Sequence, residues 1–219
     1  MKLWYIILVL WLMSPPVLGQ INLKTGYCLS LLKAPTYTSI LGAHNVSMNG
    51  VYSDPFEPLE ILHGFDIGLE HRWESFAVEA GWRTKRNRQE ATGDLVQGDF
   101  RNHLNWSISS FYAGLVQYLD PIRISVSMDY NYTIAKLKFE EPAILTTLDD
   151  HGWGSSFSIG YVFRGSGTIS LVIAPYVQLQ WGDYDLAPLQ NALTEPVSQP
   201  KAEDFVNYGI TLYFLNGPR

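Results

Sequence analysis

Cysteine is nearly absent from this chain: Cys28 is the single thiol among 219 residues. No internal disulfide can form, which excludes the small secreted scaffolds that disulfides hold together. Cys28 itself reads as a small filler in a strand. Beyond residue 19 no apolar run approaches the ~20 residues of a membrane-spanning helix. There is no unbroken basic run, and the formal net charge is −6, so nucleic acid is not an expected partner. No cofactor motif or metal-ligand spacing stands out, and neither a cofactor nor a metal is expected.

The first 19 residues differ from the rest. Lys2 gives a short positive start, Leu3–Met13 is apolar, and Ser14–Gly19 is a small-residue and proline exit. That order is a secretory signal peptide with cleavage expected before Gln20, leaving a mature domain of residues 20–219. No cysteine follows the cut, so a lipoprotein anchor is not expected.

What the mature chain does have is alternation. Strict period-two patterning marks strands whose faces meet different surroundings. In Thr168–Trp181 the apolar set is Ile169, Leu171, Ile173, Val177, Leu179 and Trp181, with Val172 and Tyr176 as exceptions on the other face. The same rhythm runs through Leu23–Leu31, Phe65–Trp73, Phe76–Thr84, Ile122–Ile134, Trp153–Arg164 and Asp204–Phe214. Leu104–Tyr118 follows it less cleanly, with Leu104, Trp106, Ile108, Tyr112, Val116 and Tyr118 taken as the apolar face. Eight such segments, mostly nine residues or longer, suit tilted membrane crossings better than ordinary globular strands. The polar face is mostly Ser, Gly, Thr and Asn, which suits the crowded inside of a narrow barrel. The expected fold is all-β: an eight-stranded antiparallel up-and-down transmembrane β-barrel with its apolar face in lipid.

Two patterns add to this. Trp73, Trp82, Trp106, Trp153 and Trp181 fall near strand ends on the apolar sets, as an aromatic girdle requires. The connections alternate: Lys33–His63, Lys85–His103, Leu137–Gly152 and Tyr184–Glu203 are long, whereas Glu74-Ser75, Leu119–Pro121 and Arg164–Gly167 are tight. Long outer loops and short periplasmic turns are the habit of such barrels.

On strand count, loop order and last strand, residues 20–214 resemble the small bacterial outer-membrane barrels of the OmpA, OmpX and OmpW kind and the PorT-like barrel proteins. The resemblance implies residence in the bacterial outer membrane, in contact with its lipid and lipopolysaccharide. It also implies an assembly signal at Asn207, Gly209, Leu212 and Phe214, read by the barrel-assembly machinery. Residues 215–219 continue past Phe214, whereas the final aromatic of that signal usually ends the chain.

Chemistry is harder to find. The expected inward charges are Lys24, Arg72, Arg83 and Arg123 against Asp66, Glu70, Glu74, Glu79 and Asp129, and the bland expectation is a salt-bridged polar plug. A two-residue turn at Glu74-Ser75 pairs residues whose numbers sum to 149, so Glu70 faces Glu79 and Asp66 faces Arg83. Facing carboxylates should share a proton or an arginine, with Arg72 and Arg123 as candidates. A proton-linked gate or ion path is the sharper alternative. The functional expectation is non-enzymatic: an anchor displaying four outer loops to lipopolysaccharide or an envelope partner, including a secretion-complex role by resemblance. A lipid A-modifying enzyme would need a serine, a base and an acid together; His71, His103, His151 and Ser110 are the candidates. A small porin-like channel is the other alternative.

Overall fold

The computed structural model describes residues 19–58, 60–95, 98–140, 144–165, 168–193, 202–203 and 205–216. Residues 1–18 of the expected signal segment, Ser166-Gly167 and Asp204 lie outside the described residues. The elements, in chain order, are β1 (Gln20–Lys33), α1 (Pro35–Ser47), β2 (Tyr52–Asp54), β3 (Ile61–Trp73), β4 (Phe76–Leu95), β5 (Gly98–Leu119), β6 (Ile122–Phe139), β7 (Ile144–Arg164), β8 (Ile169–Gln180), β9 (Tyr184–Asp185), α2 (Ala187–Leu193), β10 (Ala202–Glu203) and β11 (Val206–Asn216).

Eight of these strands form one closed wall in the order β1-β3-β4-β5-β6-β7-β8-β11, and β11 pairs back onto β1. Every pairing is antiparallel, so this is the expected up-and-down barrel, and closure leaves the wall without an edge. The outside is greasy: Leu23, Phe65, Leu69, Phe111, Leu115, Val126, Phe157, Ile159, Ile210, Leu212 and Phe214 all stand exposed. Soluble monomers rarely show apolar patches beyond a few hundred Å². A belt that girdles the whole molecule is stable in lipid and unstable in water.

Three strands run well past a membrane crossing. β4, β5 and β7 have 20, 22 and 21 residues, about twice the 9–11 that a tilted crossing needs. Two of the expected long loops are therefore corrected. In place of Lys85–His103, β4 and β5 stay paired up to Leu95↔Gly98. In place of Leu137–Gly152, β6 and β7 stay paired up to Phe139↔Ile144. The other two long connections fold inward. Residues 35–47 form α1, and its buried Tyr37, Ile40, Leu41 and His44 follow the i, i+3, i+4, i+7 spacing of a packed helix face.

The apolar face of β5 is also corrected. Phe111, Leu115 and Leu119 point out, whereas Leu104, Trp106, Ile108, Tyr112, Val116 and Tyr118 are buried inside. The period of two holds along the strand, but its meaning reverses near Ser110. Below that point lipid lies outside, and the buried charges lie inside together with a small apolar cluster of Val116, Val162, Val172 and Leu215. Above it water lies outside, and the apolar residues turn inward onto the folded loops. Trp106 consequently leaves the girdle and joins an internal core.

Candidate functional site: a charged lumen beneath an apolar cap

The lower interior holds eight buried charges: Lys24, Arg83, Lys85 and Arg123 against Asp66, Glu70, Glu79 and Asp129, all under a tenth exposed. The hairpin register puts Glu70 opposite Glu79 and Asp66 opposite Arg83. Arg123, reaching across from β6, spans the facing carboxylates through one nitrogen, with Nη2 2.9 Å from Glu70 and 2.8 Å from Glu79. Lys24 bridges the next pair, donating to Glu79 at 3.1 Å and lying 3.6 Å from Asp66. Arg83 grips Asp66 with Nε and Nη2 at 3.1 and 3.0 Å. Tyr118 donates to Glu70 at 2.5 Å and Tyr112 to Asp66 at 2.7 Å. Gly68 and Gly81 face each other beneath Tyr112, where a Cβ on either would meet its hydroxyl; these glycines make room for the Tyr112–Asp66 contact.

Asp129 and Lys85 sit higher and are joined indirectly. Lys85 Nζ donates to the Gln178 carbonyl at 2.8 Å, and the Gln178 amide donates to Asp129 at 2.9 Å. Ser127 and Ser156 also donate to Asp129. Gln178 thus acts as a polar link between two charges that do not touch. The cations also lie over ring faces: Lys24 is 4.6 Å from the Tyr213 centroid, and Arg83 is 5.0 Å from that of Tyr176. Desolvation is met by pairing for six of these charges and by the Gln178 link for Lys85 and Asp129. The packing leaves a cavity of about 20 Å³ among Ser125, Ser127, Ser156, Thr211 and Tyr213, room for about one water.

Not every expected lumen charge joins this network. Arg72 does not reach Glu70. It lies 3.8 Å over the Tyr118 ring at the lower rim and donates to the Glu74 carbonyl at 2.9 Å. Glu74 is an exposed turn residue with φ 43°. Lys85 and Gln178 were not anticipated. Lys85 falls at the start of the expected loop Lys85–His103, although it lies two residues beyond Arg83 and shares its parity.

Above the charges lies the cap. Tyr37 packs edge-on against Trp106 at 5.0 Å, Trp106 against Phe205 at 5.8 Å, and Phe205 stacks on Tyr184 at 4.4 Å. Leu104, Ile108, Leu137, Leu148 and Leu186 complete the cluster. Two polar ties fasten the cap. The Tyr37 backbone N–H donates to Glu203 at 2.8 Å, satisfying a donor at the start of α1. His44 joins both helices: its Nδ1 lies 2.6 Å from the Leu193 carbonyl and its Nε2 3.1 Å from the Tyr52 hydroxyl. A carbonyl can only accept, so Nδ1 carries the proton and Nε2 accepts from Tyr52. Burial holds the imidazole below its ordinary pKa of 6.5, and the Leu193 bond opposes that shift. Burial likewise pushes the Tyr184 phenol up to about 12.

No protein-family model and no curated protein matches this chain. Solved structures do. Ail, the attachment invasion locus protein of Yersinia pestis, solved with the heparin analogue sucrose octasulfate, is 10% identical over 90% of this chain and 98% of its own, with a TM-score of 0.54. Looser likenesses, with TM-scores of 0.45 and 0.39, are the outer-membrane protease OmpT of Escherichia coli (10% identity, 90% and 96% coverage) and Neisserial surface protein A (7%, 90% and 98%). The fold is that of the small outer-membrane β-barrels.

Four of the five girdle tryptophans remain on the outside. Trp153 and Trp181 are exposed, while Trp73 and Trp82 are half-buried, with Trp73 stacked on Phe76. In β11, Leu212 and Phe214 face outward and Asn207 is buried inside. The candidates for lipid chemistry are not assembled. Ser110 is corrected from a lipid-facing to a lumen residue; it is buried and donates to Asn131 at 2.6 Å. His71 is on the outer face against Trp73. His103 packs by Glu90 and Arg88, and His151 by Tyr130. The wall separates His71 from the serine it would activate.

Proposed function

We propose that this chain is a non-enzymatic outer-membrane anchor whose outer half is a rigid binding platform. The observation that carries this reading is the continuation of β4 to β7 beyond the lipid belt around an apolar cap. Ordinary loops are mobile; here paired strands and two packed helices replace them, so the outer surface is pre-organised, which lowers the ordering cost of association. A lumen filled by bonded charges favours an anchor over a conduit, and the separation of His71 from Ser110 favours binding over hydrolysis.

The rest of the reading follows from the fold class. Residues 1–19 serve as the export signal. The barrel-assembly machinery reads Asn207, Gly209, Leu212 and Phe214. Lipopolysaccharide surrounds the platform, and an envelope protein is its partner. Photo-crosslinkers placed at Thr147 and Asp149 on the platform and at Leu212 in the belt test this in whole cells. Protein adducts are expected from the first two positions and lipid adducts alone from the third. Lipid-only adducts at all three would reject the platform, and a changed lipid A mass spectrum on expression would reject the non-enzymatic assignment.

A further inference from the structure

Residues 83–88 hold four cations in six positions, and the wall divides them. Arg83 and Lys85 point into the lumen, whereas Arg86 and Arg88 stand exposed outside. Register places these outer arginines beside more cations. Arg88 pairs with Asn105, which pairs with Lys136; Glu90 pairs with His103, which pairs with Lys138; Arg86 pairs with Ser107. Two flanking strands thus carry Arg86, Arg88, Lys136 and Lys138, and the strand between them presents the neutral hydrogen-bonding side chains of Ser107 and Asn105. The flanks are two strand spacings, or about 10 Å, apart.

Glu90 lies 3.8 Å from Arg88, 3.5 Å from Arg101 and 3.4 Å from His103. Glu140 receives the backbone N–H of Arg101 at 3.0 Å. Among the described residues no carboxylate lies within 4.0 Å of Arg86, Lys136 or Lys138. This excess of positive charge occurs in a chain of net −6. On the Lys136 side the patch ends at β7, which exposes Asp149 opposite Ile134, with Asp183 and Asp185 exposed beyond it.

The height of the patch indicates its partner. Trp82, Phe111, Tyr130 and Trp153 form one row of register partners across four strands. Arg86 and Arg88 lie four and six residues beyond Trp82, roughly 13 and 20 Å along a tilted strand. Lys136 lies six residues beyond Tyr130. The cations therefore stand just above the interface that the aromatic row marks, level with headgroups rather than out in solution.

We propose that the outer face of β4, β5 and β6 docks the phosphates of a multiply phosphorylated glycolipid in the leaflet that the barrel enters, with one phosphate near Arg86 and Arg88 and another near Lys136 and Lys138. This rests on the outer-membrane reading above. Binding is bounded on the β7 side, where Asp149, Asp183 and Asp185 repel the same headgroup, so the patch holds its lipid over β4 to β6.

The test uses the mature chain in nanodiscs of phosphatidylcholine with added bis-phosphorylated lipid A, counting retained lipid by native mass spectrometry. The wild type should retain at least fivefold more lipid A than Arg86→Ser/Lys136→Ser/Lys138→Ser, and more than it retains of the dephosphorylated lipid. Lys33→Ser/Arg164→Ser, which removes exposed cations elsewhere, should match the wild type. Heat-modifiable migration on gels verifies folding; should the triple variant not fold, Arg86→Ser and Lys136→Ser alone carry the comparison. Equal retention by the wild type and the patch variants overturns the proposal. So does a soluble sulfated saccharide that binds the patch as tightly as lipid A, since the partner is then not a membrane lipid. A wild type that never enters the bilayer overturns the outer-membrane reading itself, a different failure from the loss of lipid selectivity.

Discussion

Below Ser110 the barrel keeps Lys24, Asp66, Glu79 and Arg123 inside and leucines and phenylalanines outside; above it Leu104, Trp106 and Leu137 are inside and Arg86, Asn105 and Lys136 outside. One continuous wall thus encloses two interiors of opposite character. The surroundings of the wall account for this. Where lipid is outside, apolar groups gain by facing out, and the narrow lumen takes the polar groups, which must then bond to each other. Where water is outside, the ordinary globular rule returns and the interior becomes a core. Arg123 and Trp106, the largest fully buried side chains among the described residues, hold these two tiers by different means.

The comparison can be broken first at Arg123. Arg123→Met leaves Glu70 and Glu79 facing each other with one of their cations gone. A loss of about 3–5 kcal/mol is expected for removing one partner of a buried pair, read as a lower urea midpoint for unfolding from vesicles. Adding Glu70→Gln and Glu79→Gln should restore much of it, because the uncompensated charges go too. Trp106→Ala should cost about 3 kcal/mol through the cavity it opens, and the damage should stay in the cap. Limited proteolysis within residues 34–60 and 181–205 should accelerate while the heat-modifiable band persists. Loss of the band would show that the two tiers fold as one unit.

The outer surface sharpens the contrast. Leu212→Arg in the belt should cost about 2 kcal/mol, whereas Lys136→Leu above it should shift the midpoint by less than about 0.5 kcal/mol. A smaller effect follows from His44. Its imidazole is neutral and buried in the folded cap, with its pKa held below 6.5. The unfolded cap therefore binds a proton first as pH falls, and stability is lost below pH 6.5, down to the folded-state pKa. Protease protection of α1 should decline over that interval, and His44→Gln should flatten the decline. Another small effect is expected at Arg164, whose pair with Asp120 at 2.8 Å is half exposed. Arg164→Ala should change the midpoint by no more than about 1 kcal/mol.

The strand count and the facing of Glu70 and Glu79 were legible from the chain, because a two-residue turn allows one register and alternation sets which side is inward. The belt was legible for the same reason at Leu171, Ile210 and Leu212. Trp106 was misplaced because alternation reports that two faces differ and does not say which face meets lipid. Lys85 was missed because it follows the last apolar outward residue of its strand, where a pattern tuned to lipid stops. The face of α1 carried its signal in Tyr37, Ile40, Leu41 and His44, at helical spacing inside what reads as a loop.

The amino-acid order by itself determined a period of two, its eight repeats and the tight turns between them, since these depend on neighbouring residues along one strand. Only the tertiary structure decided where the inward face changes from charged to apolar. It also decided that Arg123 on β6 meets carboxylates on β3 and β4, and that four clustered cations split across the wall. Those outcomes depend on which strands the closed barrel brings together and on what lies outside each stretch of wall.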